Sequence, residues 1–212
     1  GLDHDLVQMM PNPPSKDKTA RLMQLADMLV VTGSQSNVRS AYSSGTPAIG
    51  VGMGNVVTII DETADLDDAA KKIQRSKCFD NATSCSSENA LIVVDSVYDE
   101  CVAALQRVGG MLLNPAQTDH LINTHWHDSH LNRDMLAQDI EAVLSTLGMT
   151  NIAPQNTKFM VAPAHGIGPN YPISGEKMAL FLALYRASDF ADAKRKARAI
   201  HDYQGRGHSL GL

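Results

Sequence analysis

The sequence has few cysteines, and their spacing does not predict a disulfide framework. Three are present among the 212 residues, at Cys78, Cys85 and Cys101, and no two of them form a CxxC pair. An odd number of thiols without such a pair suits a reducing compartment. We therefore expect a cytoplasmic protein.

Long apolar runs and a surplus of basic residues are missing as well. A membrane helix needs about 20 consecutive apolar residues, whereas the apolar segments here are shorter and interrupted by charges. Lysine and arginine number 18 against 23 acidic residues, which gives a formal net charge of -5. We expect no membrane segment, no signal peptide and no nucleic acid among the partners.

The composition and the apolar pattern predict an α/β fold. Apolar residues make up 43% of the chain and charged residues 19%, which excludes disorder. Short apolar runs predict strands at residues 28–31, 56–60, 90–94, 159–161 and 178–185, and helical periodicity occurs at 66–73, 97–108 and 190–200. This alternation predicts a mostly parallel sheet with flanking helices.

Small residues follow the first predicted strand, at Thr32, Gly33 and Ser34. The backbone N–H groups of such a strand-to-helix turn can face a phosphate. A helix N-cap explains the same residues without any ligand. The pattern alone leaves both interpretations open.

Cys85 lies in a turn of small polar residues between a helical pattern and the strand at 90–94. Reactive side chains are often held on such loops. A structural cysteine prefers apolar surroundings, such as those of Cys101, and Cys78 lies at the end of a helix. Cys85 is the candidate nucleophile, although the residues alone do not exclude a packing role.

Six motifs follow one another along the chain: TGSQSN at 32–37, AYSSGTPAIGVGMGN at 41–55, DETADLDDA at 61–69, FDNATSCSSEN at 79–89, SGEK at 174–177 and DYQGRGHS at 202–209. Their order and spacing resemble the aldehyde dehydrogenase superfamily. The resemblance is strongest to its CoA-acylating branch, which includes acetaldehyde and sulfoacetaldehyde enzymes. It runs in register from about residue 6 to the end of the chain.

The resemblance implies that the Cys85 thiolate attacks an aldehyde, that hydride passes to NAD or NADP, and that a thioester remains. It places Thr32, Gly33 and Ser34 over the cofactor pyrophosphate. Glu176 matches the glutamate that holds the nicotinamide ribose, and Gly52 is grouped with these cofactor-binding residues. A solvated surface carboxylate is the alternative for Glu176.

The resemblance also indicates which acceptor releases the thioester in the second half-reaction. Hydrolytic members have a glutamate base where this chain has Val51, and valine cannot activate water. CoA is therefore the expected acyl acceptor, and His208 is the candidate that takes the thiol proton. The expected substrate is a short aldehyde, with Arg206 either gripping a sulfonate or facing solvent.

The same resemblance divides the chain into two parts. Residues 1–50 match the C-terminal part of a dinucleotide-binding domain, and residues 51–212 match an incomplete catalytic domain. The family's adenosine-binding strands have no counterpart, so an inactive structural fragment is an alternative. Family members form dimers or tetramers, which predicts a homo-oligomer.

A competing hypothesis is a zinc hydrolase of the metallo-β-lactamase type, with His125, His127 and His130 as ligands. Its HxHxDH motif requires an aspartate where this chain has Ser129, and Asp128 is one place early. The motif also comes late in the chain. We expect no catalytic metal site.

The missing adenosine-binding part predicts weak cofactor binding by the 212-residue chain alone, because the first βαβ unit of a dinucleotide fold supplies much of the binding energy. Calorimetric titration with NAD⁺ and NADP⁺ measures this. Tight binding of either nucleotide would show that a whole cofactor site is present.

Overall fold

The structure is a computed structural model that describes residues 5–127 and 130–212. Contacts between Cα atoms divide the chain into two compact units, Gly1–Met53 and Gly54–Leu212. Each unit has its own sheet, so the two are described in turn.

The first unit contains two helices and a two-stranded parallel sheet. Its elements are α1 (Lys16–Leu25), β1 (Leu29–Thr32), α2 (Gln35–Tyr42) and β2 (Ala48–Val51). The strand predicted at 28–31 is confirmed with a shift of one residue. The prediction missed β2, because Gly50 interrupts its apolar pattern.

The second unit is built on a six-stranded sheet. Its strands are β3 (Val56–Ile60), β4 (Glu88–Val94), β5 (Gly110–Leu112), β8 (Phe159–Pro163), β9 (Phe181–Ala187) and β10 (Leu210–Gly211). They lie in the order β10-β3-β4-β9-β8-β5, and every neighbouring pair is parallel. A separate two-stranded sheet contains β6 (Trp126–His127) and β7 (His130–Leu131), which are antiparallel.

Five helices connect these strands: α3 (Leu66–Lys77), α4 (Tyr98–Arg107), α5 (Pro115–His125), α6 (Ile140–Thr146) and α7 (Phe190–Tyr203). All residues from Ala90 to Val94 are buried, so side chains cover both faces of β4. Burial on both faces is typical of parallel sheets. The predicted α/β class is confirmed.

Most of the predicted elements of this unit are confirmed, and the differences have physical reasons. The strand at 56–60 has the predicted limits, whereas the one predicted at 178–185 begins only at Phe181, because Met178 has a φ of 49° and belongs to a turn. The prediction missed β5, which is three residues long. Among the described helices, none is long and apolar enough to cross a membrane.

Candidate active site

Gly54 and three of the predicted site residues each precede a strand of the six-stranded sheet. Gly54 precedes β3, Cys85 precedes β4, Glu176 precedes β9 and His208 precedes β10. These four strands are consecutive neighbours in the sheet, in the order β10-β3-β4-β9. Because they are parallel, their amino ends meet at one edge, and the four residues lie along that edge.

Gly54 is the point at which the other three residues converge. Its backbone N–H donates to Oε1 of Glu176 over 3.2 Å. A Cβ placed on Gly54 would lie 2.6 Å from the Cys85 carbonyl oxygen and 3.0 Å from Cδ2 of His208. Three predicted site residues therefore surround a backbone position that the sequence prediction missed.

Cys85 is the exposed thiol of the three cysteines. The Ser84 carbonyl accepts the Ser87 N–H over 3.0 Å and closes the turn around it. Within the described residues, the backbone N–H groups of Cys85 and Ser86 donate no hydrogen bond. An oxyanion formed next to Sγ would therefore find two unengaged donors in the same turn.

The other two thiols are poorly placed for reaction. Cys78 is partly buried, and burial raises the pKa of its thiol. Cys101 is 2% exposed, and burial raises its pKa to about 11. Since the thiolate is the nucleophile, the geometry favours Cys85 over both.

Glu176 is partly buried and is held at both its backbone and its side chain. Its N–H donates to Oε1 of Gln204 over 3.1 Å, and its Oε1 accepts from Gly54. Burial raises the pKa of the Glu176 carboxyl, against the lowering effect of the Gly54 N–H and of Lys177 and Lys77. The solvated-surface alternative for Glu176 is therefore wrong.

Two lysines are buried close to the Glu176 carboxylate. The sequence prediction missed their burial. Lys77 is 1% exposed and Lys177 is 0% exposed. Nζ of Lys177 donates to the Gly175 carbonyl over 2.7 Å. Burial lowers the pKa of Lys77 to about 8 and lowers that of Lys177 well below its usual range. A lysine in an SGEK motif gives no sequence signal of burial.

His125 ends α5 and is fully buried. Its Nε2 lies 2.9 Å from the Lys177 carbonyl oxygen, so Nε2 carries the hydrogen and donates. Burial lowers the pKa of His125 to about 4. The hydrogen bond leaves Nδ1 as the nitrogen through which His125 could bind a metal ion, and Nδ1 is buried.

The other two histidines of that hypothesis are His127 and His130, which form a cross-strand pair between β6 and β7. Asp128 and Ser129 lie outside the described residues. Within residues 5–127 and 130–212, no group of three His, Cys, Asp or Glu side chains is arranged to hold a metal ion. The geometry gives the zinc hydrolase no support.

The remaining cofactor-binding candidates belong to the first unit. Oγ of Ser34 accepts the Asn37 N–H over 3.3 Å and caps α2. Gly33 has a φ of 131°, a conformation that favours glycine. A Cβ on Gly52 would lie 2.3 Å from Oε1 of Gln35. Ser34 therefore caps α2, and phosphate binding by Thr32, Gly33 and Ser34 stays a prediction.

The Arg206 side chain forms an ion pair with Asp202 at the protein surface. Its Nε donates to Oδ1 of Asp202 over 3.0 Å, and its side chain is 76% exposed. Of the two interpretations of Arg206, the structure favours the solvent-facing one. A sulfonate would have to compete with Asp202 for the guanidinium.

Comparison with known proteins identifies relatives of the chain. The sequence model of the aldehyde dehydrogenase family matches residues 1–138. Sulfoacetaldehyde dehydrogenase (acylating) from Cupriavidus necator is 49% identical over 212 residues, which are 100% of this chain and 43% of that protein. The chain therefore spans less than half the length of this curated relative.

Solved structures agree with the sequence comparison. An acetylating aldehyde dehydrogenase from Geobacillus thermoglucosidasius has a TM-score of 0.88 and 33% identity, over 93% of this chain and 44% of that one. A propionaldehyde dehydrogenase from Rhodopseudomonas palustris, with bound CoA and an acylated cysteine, has a TM-score of 0.81 and 26% identity, over 93% and 44% of the two chains.

Replacing Gly54 tests the convergence at the edge of the sheet. In Gly54→Ala the new methyl group would meet the Cys85 carbonyl at 2.6 Å, so we expect a loss of about 1–3 kcal/mol in the free energy of unfolding. The displaced turn should also change the rate at which a thiol reagent modifies Cys85. Denaturant titration and peptide mapping measure the two effects.

Gly148→Ala is the matched control, because Gly148 has a φ of 64° and open space around it. It should cost about 1–2 kcal/mol through backbone strain and leave the Cys85 modification rate unchanged. Equal modification rates in both variants and the parent would show that Gly54 does not constrain Cys85.

Burial of His125 predicts a pH-dependent stability. The pKa of His125 falls from 6.5 to about 4 on folding, so between these values the unfolded chain binds the proton and the folded chain does not. The free energy of unfolding should therefore fall by about 3 kcal/mol as the pH drops from 6.5 to 4. His125→Phe should lose this contribution, so its unfolding curve should depend less on pH over that window. Parallel curves for the two proteins would contradict the prediction.

Proposed function

Because the chain belongs to the aldehyde dehydrogenase family, we propose that it supplies the thiolate part of an NAD(P)-dependent, CoA-acylating aldehyde dehydrogenase. The family predicted from the motifs is confirmed. The observation that most supports the activity is the convergence of Cys85, His208 and Glu176 around the backbone of Gly54. The relative with 49% identity is itself named as an acylating enzyme.

In the proposed reaction, Sγ of Cys85 attacks the aldehyde carbon. A carbon–sulfur bond forms, the carbonyl electron pair moves to oxygen, and the N–H groups of Cys85 and Ser86 can donate hydrogen bonds to the resulting oxyanion. Neither donor is engaged with another described residue. Removing one such donor costs about 3 kcal/mol of transition-state stabilisation in comparable sites.

When bound, the nicotinamide would supply the hydride acceptor, and loss of hydride from the oxyanion adduct would leave a thioester on Cys85. Glu176 suits the ribose next to that ring, because Gly54 occupies only its Oε1. Among the described residues, Oε2 of Glu176 makes no hydrogen bond and can accept one from a ribose hydroxyl. We further propose that Thr32, Gly33, Ser34 and Gly52 contact the same cofactor, NAD or NADP.

The thioester is then transferred to CoA. His208 lies against Gly54, as does Cys85, so its imidazole can take the CoA thiol proton close to the acyl group. The CoA sulfur forms the new bond to the carbonyl carbon, and the Cys85 thiolate leaves. Val51, at the position of the hydrolytic base, cannot direct water to the thioester.

The substrate that fits this proposal is a short aldehyde. A sulfonate-bearing aldehyde is the substrate named for the relative that is 49% identical. Arg206 is committed to Asp202 at the surface, so another group would have to recognise a sulfonate. A cytoplasmic location, a homo-oligomer and the division at residue 50 stay predictions.

The CoA requirement of the enzyme that contains this chain tests the proposal. With aldehyde and cofactor, steady-state NAD(P)H formation should require CoA, whereas CoA-free enzyme should stop after about one equivalent per site. Cys85→Ala should lower the rate by about 10⁶-fold, as the loss of the serine nucleophile does in a protease.

Cys78→Ala is the matched control, because it removes a partly buried thiol and should leave turnover close to that of the parent. Equal steady-state rates with and without CoA, or an active Cys85→Ala variant, would contradict the proposed function.

A further inference from the structure

Glu176 lies in a turn that several parts of the second unit hold in place. Gln204, just after α7, accepts its N–H, and Gly54, just before β3, donates to its carboxylate. The next residue, Lys177, donates its N–H to Oδ1 of the buried Asn89 over 3.1 Å. Each of these bonds joins residues at least 28 positions apart in the sequence.

His125 makes the bond to the carbonyl of this turn. Its Nε2 donates to the Lys177 oxygen over 2.9 Å, in a buried environment. A buried hydrogen bond of this kind, from an imidazole N–H to a carbonyl, is costly to leave unmade, because the carbonyl then has no partner and no access to water. The turn therefore depends on a residue from α5, a helix that supplies no other group to the site.

The orientation of the His125 ring is fixed by its neighbours. It packs edge-to-face against Trp126 and Phe181, with ring centroids 4.6 Å and 4.9 Å away. Its Nδ1 is buried and has no partner among the described residues. The ring is thus positioned by packing, and its one hydrogen bond is directed at Lys177.

We infer that His125 is a positioning residue, which holds the Lys177 carbonyl so that the adjacent Glu176 carboxylate stays against Gly54 and ready for the cofactor ribose. The inference rests on the proposed function. It gives a different purpose to a histidine that the sequence pattern offered as a zinc ligand. The hydrogen bond acts on Glu176 through one peptide unit, so its loss should move the carboxylate without touching Cys85.

Cofactor affinity in the enzyme that contains this chain measures the effect. His125→Phe keeps an aromatic ring and removes the donor, and we expect the Kd for NADH or NADPH, measured by fluorescence titration, to rise about tenfold. His125→Gln, whose amide nitrogen can donate, should recover part of the loss. The rate of Cys85 modification by a thiol reagent should not change in either variant.

His120→Phe is the matched control. His120 lies on the same helix, and its Nε2 bonds the Leu147 carbonyl over 3.0 Å, so the variant loses a similar bond away from the site. It should lower stability and leave the Kd for the cofactor unchanged. A general weakening of α5 would instead raise the Kd in both variants, which would overturn the inference.

A double-mutant cycle with Glu176→Ala decides whether His125 acts through Glu176. If it does, His125→Phe should change the Kd by less than about twofold once Glu176 is absent. A tenfold rise in both backgrounds, or in neither, would contradict the positioning role while the parent enzyme still makes acyl-CoA. A parent enzyme that binds neither nucleotide and makes no acyl-CoA would overturn the proposed function itself, and the inference with it.

Discussion

The close approach of Cys85, His208 and Glu176 to the backbone of Gly54 is the constraint on which the site depends. A side chain at this position would have to occupy the space of the Cys85 carbonyl. The same backbone supplies the N–H that holds Glu176. One residue thus sets the separation between the proposed nucleophile, the proposed base and the carboxylate proposed to bind the cofactor, and it does so without a side chain of its own.

The parallel sheet explains why residues as distant in sequence as Gly54 and His208 lie close together. In a parallel sheet all amino ends lie at the same edge, so residues just before β10, β3, β4 and β9 are brought together. Open α/β sheets usually bind ligands at the carboxyl ends of their strands. Here the candidate site lies at the opposite edge, so that general rule would have pointed away from it.

The sequence could predict the elements whose signal is local. Unbroken apolar runs gave β3 and β4, and helical spacing gave α3, α4 and α7. The order of the strands and the short edge strand β5 depend on contacts distant in sequence, which a single sequence does not reveal. Cys85 could be proposed from its polar turn and its motif, and its role stays a prediction. Gly54, Lys77 and Lys177 were not, because neither close approach nor burial of a lysine has a local signature.

The buried Lys177 shows how the carboxylate of Glu176, which we propose binds the cofactor, can be held by the residue next to it. Burying an ammonium costs several kcal/mol unless its hydrogen bonds are made. Lys177 uses its N–H, its carbonyl and its Nζ, which bond to Asn89, His125 and Gly175. All three partners restrain the same few peptide units. The neighbouring Glu176 can then remain partly accessible and still be fixed, because the residue beside it, and not its own side chain, anchors the turn in the core.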